Sequence, residues 1–184
     1  MKQTAPPIVE VPHSVLFEPA KRVVKFDDSL RTLIEGMKKT LVTKKNPKGV
    51  GLAAVQVGIP LQLFLTKPDT KSQIRVFINP TIESFDPVPE QSPEKNDTLE
   101  GCLSIPNVWG HVGRSPKLTL SYQDETGAPH TETFSGFLAT IIQHETDHCN
   151  GILFTRRVLE QQGKLYQIAK DKDNKEMLEE LSLP

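Results

Sequence analysis

The chain has 184 residues, of which 22 are basic and 23 are acidic, so its formal net charge is -1. This balance gives no electrostatic reason to expect binding to nucleic acid or to an anionic membrane surface. No apolar run of the sequence approaches the ~20 residues of a transmembrane helix, and the N-terminus lacks the apolar segment of a signal peptide. We therefore expect a cytoplasmic protein with one domain, residues 1–184, and a substantial core.

The N-terminal part of the chain predicts an arm followed by a helix. Residues 1–14 are rich in proline, show no regular periodicity and are expected to form an extended arm. Asp27-Asp28-Ser29 then offers N-cap residues for a helix. The apolar residues that follow have the i, i+3, i+4, i+7 spacing of an amphipathic helix, and they are Leu30, Leu33, Ile34, Met37 and Leu41.

The middle of the chain predicts short strands. Runs of β-type composition lie at residues 62–66, 75–79, 118–122 and 130–134. Pro80 should close the second run, with residues 81–85 continuing as an edge strand. The polar, proline-rich segment Phe85–Thr98 is expected to be a long loop. The last two runs flank a turn-type sequence at 124–127, which predicts a hairpin.

The segment Phe137–Gly151 has an apolar helical pattern that contains His144-Glu145-x-x-His148. At about 100° per residue the two imidazoles lie only ~40° apart around the helix, one turn from each other, so both can bind one metal ion. Glu145 lies at the edge of the same face. Burying these groups without partners would cost several kcal/mol, so the pattern favours a catalytic metal over two incidental histidines.

The C-terminal tail, residues 155–184, follows this helix. Its stretch from Leu159 to Leu181 has helical composition and an acidic end, which predicts a surface helix. Together, these elements predict an α+β fold. In it, mixed, short-stranded antiparallel sheets pack around a central metal-binding helix, with an N-terminal helix and a C-terminal helical tail.

A catalytic site of this kind needs a third protein ligand beside an open position. The metzincin pattern would place a third histidine at position 154, where the chain has Phe154, so that subclass is excluded. A thermolysin-type glutamate would have to come from the tail, at Glu160, Glu176 or Glu179. That arrangement would make the protein a zinc peptidase, which is one alternative function.

The two cysteines, Cys102 and Cys149, are too few for a disulfide framework. Cys149 lies in the apolar helix pattern and is interpreted as a small buried hydrophobe. Cys102 lies instead in Glu100-Gly101-Cys102-Leu103-Ser104, which does not resemble core sequence. A thiolate and two imidazoles would form a tetrahedral site with water as the fourth ligand, so Cys102 is the stronger candidate for the third ligand.

The glycine-rich segment Gly49–Ala54 matches the dinucleotide-binding pattern GxGxxA in letters only. A Lys-Lys-Asn-Pro-Lys run precedes it in place of a strand, Gly58 and Pro60 would stop a following helix, and no Gly-Lys-Ser/Thr follows. We interpret Gly51 as allowing the backbone to approach a bound peptide. A metal-stabilised module that holds a peptide by strand addition, without turnover, is a second alternative.

Three segments then occur in a characteristic order. They are GVGLAAVQ at Gly49–Gln56, EGCLS at Glu100–Ser104 and QHETDH at Gln143–His148. Together they resemble the three signature motifs of peptide deformylases, and the resemblance extends from about Val15 to Phe154. It implies a metal-dependent hydrolase that removes the formyl group from the N-terminal formyl-methionine of newly made polypeptides and releases formate.

The resemblance also implies roles for the matching residues. The implied metal ligands are Cys102, His144 and His148. The implied catalytic residues are Glu145 as the base and Gln56 and Leu103 as hydrogen-bond donors to the oxyanion. The implied substrate wall consists of Val50, Gly51 and Ile141. Arg114 is expected to pair with Glu100 or Asp147 and so to orient the Cys102 turn and the end of the helix.

The implied cofactor is one divalent metal ion per chain. The resemblance implies Fe²⁺ as the working ion, with Zn²⁺, Ni²⁺ or Co²⁺ able to occupy the site. The ligand set alone does not choose among them. The implied partners are N-formylmethionyl peptides, including nascent chains at the ribosome. Trp109 departs from the family pattern, because some members carry at this position an arginine that contacts the peptide backbone.

Overall fold

The computed structural model describes residues 4–44, 48–88, 99–170 and 176–181. Within these residues the helices are α1 (Asp28–Thr43), α2 (Gly136–Cys149) and α3 (Phe154–Glu160). The strands are β1 (Gly51–Ala53), β2 (Leu63–Thr66), β3 (Arg75–Phe85), β4 (Glu100–Cys102), β5 (Ile105–Gly110), β6 (Lys117–Gln123), β7 (Pro129–Ser135), β8 (Leu165–Lys170) and β9 (Glu176–Glu180). Two short 3₁₀ helices span Ser14–Leu16 and Ala54–Val57. In these described ranges no helix has both the length and the apolar character needed to span a membrane.

The strands form two antiparallel sheets. One has five strands in the order β1-β2-β3-β6-β7, and the other has four in the order β4-β5-β8-β9. Helix α2 packs against β1, β2 and β7, and α3 packs against β4 and β5. The predicted α+β class, with antiparallel sheets around a central helix, is therefore confirmed.

The five-stranded sheet separates two hydrophobic clusters. On β2, Leu63 and Leu65 belong to the cluster that contains α1, whereas Phe64 belongs to the cluster that contains α2. This division follows from the alternation of side chains along a strand. All three side chains are fully buried, so the sheet holds α2 against a rigid apolar surface.

Helix α1 begins as its sequence predicts. The Asp27 carboxylate accepts hydrogen bonds from the backbone N–H groups of Ser29 and Leu30, both at 3.1 Å, and so caps the helix. The apolar residues of the predicted stripe are buried at Leu30, Ile34, Met37 and Leu41. The helix is therefore stabilised by its cap and by packing on one face.

The fold requires a glycine two residues after the last residue of helix α2. Gly151 has φ = 70°, in the left-handed region that favours glycine. A Cβ atom at this position would lie 2.8 Å from backbone atoms of Phe17 and Glu18. Gly151 thus ends the helix and also allows the N-terminal segment to pass closely.

Strand β3 differs from the prediction at Pro80. The strand continues to Phe85, and residues 81–85 pair with β6 inside the sheet instead of forming an edge. The register shifts between Ile78 and Thr81, and Asn79 has φ = 52°. Because this bulge interrupts the ladder at the proline, the missing N–H of Pro80 breaks no regular hydrogen bond.

The hairpin of β6 and β7 is confirmed. Its turn is held by Asp124, whose Oδ1 accepts hydrogen bonds from the N–H groups of Thr126 and Ala128 at 2.8 and 3.1 Å. Gly127 supplies the positive φ of 88° that the turn needs. The predicted long loop differs in part, since Phe85 still belongs to β3 and residues 89–98 lie outside the described ones.

The predicted helix of the C-terminal tail is wrong. Residues 154–160 form α3, and then β8 and β9 form an antiparallel hairpin that joins β5 through pairs such as Trp109 with Tyr166. Leu165 is buried, and Leu181 packs against the core. Strand pairing with the open edge of β5 and burial of Leu165 outweigh the helical propensity of the tail. Neither the edge nor the buried position of Leu165 can be seen from the tail sequence alone.

The N-terminal arm has no strand or α-helix in residues 4–13, yet its backbone is held in place. The N–H of Val9 donates to the carbonyl oxygen of Gln56 at 2.9 Å, and the N–H of Val11 donates to that of Ser104 at 3.0 Å. Leu16, in the following 3₁₀ helix, is completely buried. The arm therefore contacts two of the motif segments.

Candidate metal centre

Three side chains with metal-binding atoms converge where β4 meets α2. Cys102 ends β4, His144 and His148 lie one turn apart on α2, and one ligand atom from each lies within 4.8 Å of the others. The Cys102 Sγ is 3.2 Å from the His148 Nε2, and the two imidazole centroids are 5.0 Å apart. Thiolate and imidazole donors at this separation fit a first-row divalent ion such as Fe²⁺ or Zn²⁺.

Two hydrogen-bond donors orient the sulfur of Cys102. The Gln56 Nε2 and the backbone N–H of Ser104 each donate to Sγ over 3.4 Å. Cys102 is 4% exposed, and the register of β4 on β5 shifts between Gly101 and Cys102. The bulge and the two donors together direct the sulfur toward the histidines, and such donors stabilise a thiolate.

The amide orientation of Gln56 is determined by the backbone. Its Oε1 accepts the N–H of Ala53 at 2.8 Å, so its NH₂ group must point the other way, toward Cys102. The residue is 1% exposed and lies in a 3₁₀ helix that ends at Gly58, where φ is 82°. The structure therefore presents the Gln56 N–H donors to the site.

A buried ionic network supports the histidines from behind. The Glu100 carboxylate contacts the His144 Nδ1 at 3.0 Å and accepts two hydrogen bonds from Arg114, at 2.8 and 3.0 Å. Arg114 also donates to Asp147 at 2.6 Å, and Asp147 accepts a further bond from Arg157 at 2.7 Å. Arg114 thus contacts both of its expected partners. Because Nδ1 of His144 is engaged by Glu100, its Nε2 remains for the metal.

The network shifts the pKa values of its members. Burial alone would raise the pKa of Glu100, but hydrogen bonds from His144 and Arg114 outweigh it and lower the pKa to about 2. Burial opposes the charge of Arg114 as well, yet the bonds to Glu100 and the charge of Asp147 raise its pKa. Glu100 and Arg114 are therefore a charged pair in the folded protein.

The surrounding groups shift the pKa values of the two histidines in opposite directions. Burial lowers the pKa of His148, and the nearby charge of His144 lowers it further. For His144, the bonds with Cys102 and Glu100 outweigh burial and raise the pKa. A metal ion binds neutral imidazoles, so metal binding would compete with protonation of His144.

Glu145 follows His144 on α2 and lies against β1. It is 3% exposed, and its Oε2 has no hydrogen-bond partner among the described residues. A Cβ atom on Gly51 would lie 2.8 Å from the Glu145 Cδ and still closer to Oε1, so only glycine leaves space for this carboxylate. Burial raises the pKa of Glu145 to about 7.

A cavity of about 240 Å³ opens beside these groups. All three residues of the expected substrate wall, Val50, Gly51 and Ile141, line it. The expected catalytic and ligand residues Gln56, Cys102, Leu103, His144 and Glu145 line it as well, together with Glu100. Lys48, Leu99, Gly101, Trp109 and Phe137 complete its walls. Arg114, Asp147 and His148 lie behind the lining.

The structure gives no support to a peptidase-type ligand set among the described residues. Phe154 is 1% exposed and stacks against His144 with ring centroids 6.2 Å apart. Glu160 binds Arg156 and Arg157, and Glu179 accepts from Gln167 at 3.2 Å. The Glu176 side chain lies outside the described ones. Among the described residues, the ligand cluster contains Cys102 and no glutamate from the tail.

Sequence reasoning missed two residues that support the site. Arg157 lies in the C-terminal tail, for which the sequence predicts only a surface helix, and the turn between α2 and α3 brings it to Asp147. Gln143 bonds the backbone of Ser115 in both directions, at 3.0 and 2.9 Å, and so ties α2 to the segment that follows Arg114. The available signal for Gln143 was its place in the third motif, directly before His144.

Comparison with known proteins gives a consistent result. A sequence model described as Polypeptide deformylase matches residues 5–164. A peptide deformylase of Microchaete diplosiphon is 46% identical over 147 residues, which cover 78% of this chain and 74% of the relative. A peptide deformylase of Christiangramia forsetii is 38% identical over 192 residues, covering 92% of each chain.

Solved structures agree with the sequence comparison. The crystal structure of a peptide deformylase from Synechococcus elongatus in complex with actinonin superposes with a TM-score of 0.73 at 42% identity, over 85% of this chain and 83% of that one. The Thermotoga maritima peptide deformylase gives a TM-score of 0.71 at 37% identity, over 82% and 95%. The protein therefore belongs to the peptide deformylase family, metal-dependent hydrolases that remove the formyl group from the N-terminal formyl-methionine of new polypeptides.

Proposed function

We propose that this chain performs the deformylase reaction with one divalent metal held by Cys102, His144 and His148. The observation that carries the proposal is the convergence of these three ligand atoms within 4.8 Å, directly beside a buried carboxylate and an open cavity. The coordinating atoms would be the Cys102 Sγ and the Nε2 atoms of both histidines, since Nδ1 of His144 faces Glu100. When bound, the metal supplies Lewis acidity toward water and the formyl oxygen.

We propose Fe²⁺ as the native ion, with Zn²⁺, Ni²⁺ or Co²⁺ able to replace it. The donor set supports a first-row ion, because a thiolate and two imidazoles suit metals of intermediate softness and not Mg²⁺ or Ca²⁺. The Glu100 carboxylate behind His144 fixes the ring and increases its basicity, which favours tight binding.

Glu145 is the general base and then the general acid in this proposal. Its buried carboxylate has one oxygen without a partner among the described residues and lines the cavity. It would take a proton from the attacking water as the new C–O bond forms. It would then give the proton to the amine nitrogen as the C–N bond breaks, so that formate and a free amino terminus leave.

Gln56 and Leu103 stabilise the negative charge that develops on the formyl oxygen. The Gln56 NH₂ group points into the site because its oxygen is held by Ala53, and Leu103 follows Cys102 on the cavity wall with its backbone N–H as the second donor. Donors fixed before the reaction need no reorganisation, and loss of one typically costs ~10²–10³ in rate.

The cavity fits the N-terminal residue of the substrate. Val50, Gly51 and Ile141 line it together with other largely apolar groups and would contact the methionine side chain. The substrates in this proposal are N-formylmethionyl peptides, including nascent chains at the ribosome. We place the reaction in the cytoplasm, where such chains are made, and assign it to a single domain of residues 1–184.

Formate release from formyl-Met-Ala-Ser tests the proposal. The purified protein is reconstituted with Fe²⁺ without oxygen, and in parallel with Zn²⁺, and formate is quantified against an unformylated control peptide. We expect formate only from the formylated peptide and a higher rate with Fe²⁺. Glu145→Ala should retain the metal and lose about 10²–10⁴ of the rate, as expected for a general base.

A second variant tests the ligands independently. Cys102→Ala should lower the metal content measured by elemental analysis, whereas Cys149→Ala is the matched control because Cys149 is buried but not in the ligand cluster. Full metal content in Cys102→Ala, or undiminished formate release by Glu145→Ala, would contradict the proposed roles.

A further inference from the structure

The rim of the cavity continues onto the C-terminal hairpin. Trp109 lines the cavity and lies on β5, where it pairs directly with Tyr166 of β8. Tyr166 pairs in turn with Glu180 of β9. Directly paired residues carry their side chains on the same face of a sheet, so the cavity rim and the hairpin share one surface.

This shared surface carries exposed apolar side chains. Ile168 lies two residues beyond Tyr166 and pairs directly with Leu178, so both side chains point to the same face as Tyr166. Ile168 is 39% exposed and Leu178 is 46% exposed. We call Tyr166, Ile168 and Leu178 the hairpin face. Its other side is held to the protein by Leu165, which is buried.

The position of Trp109 makes the surface continuous. A Cβ atom on Gly101 would lie 2.6 Å from the Trp109 ring, so the ring packs directly against the backbone of β4. It is held there as part of the cavity wall, with Tyr166 on its other side. An extended chain that leaves the cavity over Trp109 would therefore meet the hairpin face next.

The size of the cavity requires such an exit. Its volume is about 240 Å³. Pockets that enclose a drug-sized molecule are roughly 300–1,000 Å³, so this one accommodates little more than one residue. Because the substrate is a polypeptide, every residue after the first must lie outside. Exposed apolar side chains next to the exit match apolar residues of that chain. The carboxylate of Glu180, which pairs with Tyr166 on the same face, disfavours an RNA phosphate backbone.

We propose that the hairpin face is an extension of the substrate site that binds apolar residues of the polypeptide downstream of the formyl-methionine. The inference rests on the proposed function, since that function places the N-terminus in the cavity. It assigns a role to β8 and β9, which begin directly after the segment, 5–164, that the family's sequence model matches. The enzyme would thereby prefer new chains with an apolar early segment.

The test compares three formylated peptides. They are formyl-Met-Ala-Ser, a ten-residue extension with leucine and phenylalanine at positions four to ten, and a ten-residue extension with serine and glycine there. We expect the KM of the apolar decapeptide to be about five-fold below that of the polar one, because two side chains become partly buried. The double variant Ile168→Ser, Leu178→Ser should remove this difference and leave the kinetics of the tripeptide unchanged.

Met177→Ser is the matched control. Met177 is 49% exposed on the same strand, but it pairs with Ala169 and so points to the opposite face. It should keep the preference for the apolar decapeptide. Equal KM values for the two decapeptides in the unmodified protein, or loss of the preference in Met177→Ser as well, would overturn the inference.

Binding can also be followed without catalysis. Trp109 is the only tryptophan in the chain, so its fluorescence reports on peptides that cross the cavity rim. Titration with the unformylated decapeptides should give a Kd for the apolar peptide about five-fold below that of the polar one. The double variant should remove this difference. Binding with this preference but without formate release would reject the proposed function alone. Formate release without the preference would reject this inference alone.

Discussion

The metal centre contains two largely buried glutamates, Glu100 on β4 and Glu145 on α2, whose surroundings differ. On the β4 side, Glu100 accepts hydrogen bonds from Arg114 and contacts His144, and its pKa is lowered to about 2. On the β1 side, Glu145 faces Gly51, one of its oxygens has no partner among the described residues, and burial raises its pKa to about 7.

The two carboxylates therefore differ in their hydrogen-bond partners far more than in their degree of burial. Both carboxylates are largely removed from water, at 10% side-chain exposure for Glu100 and 3% residue exposure for Glu145. A carboxylate whose charge is fully compensated is inert toward proton transfer and can hold other groups in place. A buried carboxylate that is not hydrogen-bonded to a cation can exchange a proton with a neighbouring molecule.

In this comparison, the largest expected effect on the rate of catalysis comes from removing the space on the β1 side. Gly51→Ala would place a Cβ atom 2.8 Å from the Glu145 Cδ, so the carboxylate must move. A displacement of about 1 Å at a reacting group can cost ~10²-fold, and we expect kcat/KM for formyl-Met-Ala-Ser to fall by about that factor. Metal content should not change, because Gly51 is not a member of the ligand cluster and the three atoms nearest to the new Cβ all belong to Glu145.

Gly36→Ala is the control for this change. Gly36 lies in α1, and its new Cβ would meet only Pro6 closely, with the Pro6 Cδ at 3.2 Å. Its activity should remain within about two-fold of the unmodified protein, since substitutions away from special contacts have small effects. Full activity in Gly51→Ala would mean that Glu145 does not need its present position.

The second prediction concerns the cation that supports Glu100 on the β4 side. Arg114→Ala would leave Glu100 and Asp147 buried without their shared cation, and Arg114 itself is only 8% exposed. Removing one partner of a buried ion pair typically costs about 3–5 kcal/mol of the free energy of unfolding. Loss of support behind a metal ligand typically lowers metal affinity by about 10–100-fold. Urea denaturation and competition with a metal chelator measure the two effects.

Arg156→Ala is the exposed counterpart. Arg156 is 65% exposed and pairs with Glu160 four residues later on α3. We expect a loss of about 0.5 kcal/mol and unchanged metal affinity, as is typical of exposed pairs. Similar losses in Arg114→Ala and Arg156→Ala would contradict the structural importance of the buried network.

The smallest expected effect concerns Arg157, the second arginine that pairs with Asp147. Arg157 donates to Asp147 at 2.7 Å but is 33% exposed, and Asp147 keeps its bond to Arg114 when Arg157 is absent. Arg157→Ala should therefore lower the free energy of unfolding by about 1 kcal/mol, with formate release nearly unchanged. If its loss equals that of Arg114→Ala, the outer arginine supports the helix end as strongly as the inner one.

Much of the metal centre follows from local sequence. The spacing of His144 and His148 puts both rings on one face of a helix, because 3.6 residues make one turn. The substitution of Phe154 for a histidine excluded a metzincin site, and the polar surroundings of Cys102 indicated the third ligand. In the structure these residues come together, and Arg114 contacts both Glu100 and Asp147.

The sequence could not reveal contacts between distant segments. That Gly51 makes room for Glu145 depends on how β1 packs against α2, across more than ninety positions of the chain. The contact between Arg157 and Asp147 depends on the turn that joins α2 to α3. Neither contact leaves a periodic or compositional signal, because each arises only when the chain is folded.

Local sequence was sufficient to predict the residue types of the site, the helix that carries His144 and His148, and the antiparallel α+β class. It was sufficient because helix periodicity, caps and strand alternation are local properties of the chain. Two features depend instead on long-range packing: β3 continues through Pro80 by means of a bulge, and the tail forms β8 and β9. Both outcomes depend on which sheet edge is open and which apolar side chains it can bury, and these are properties of the assembled fold.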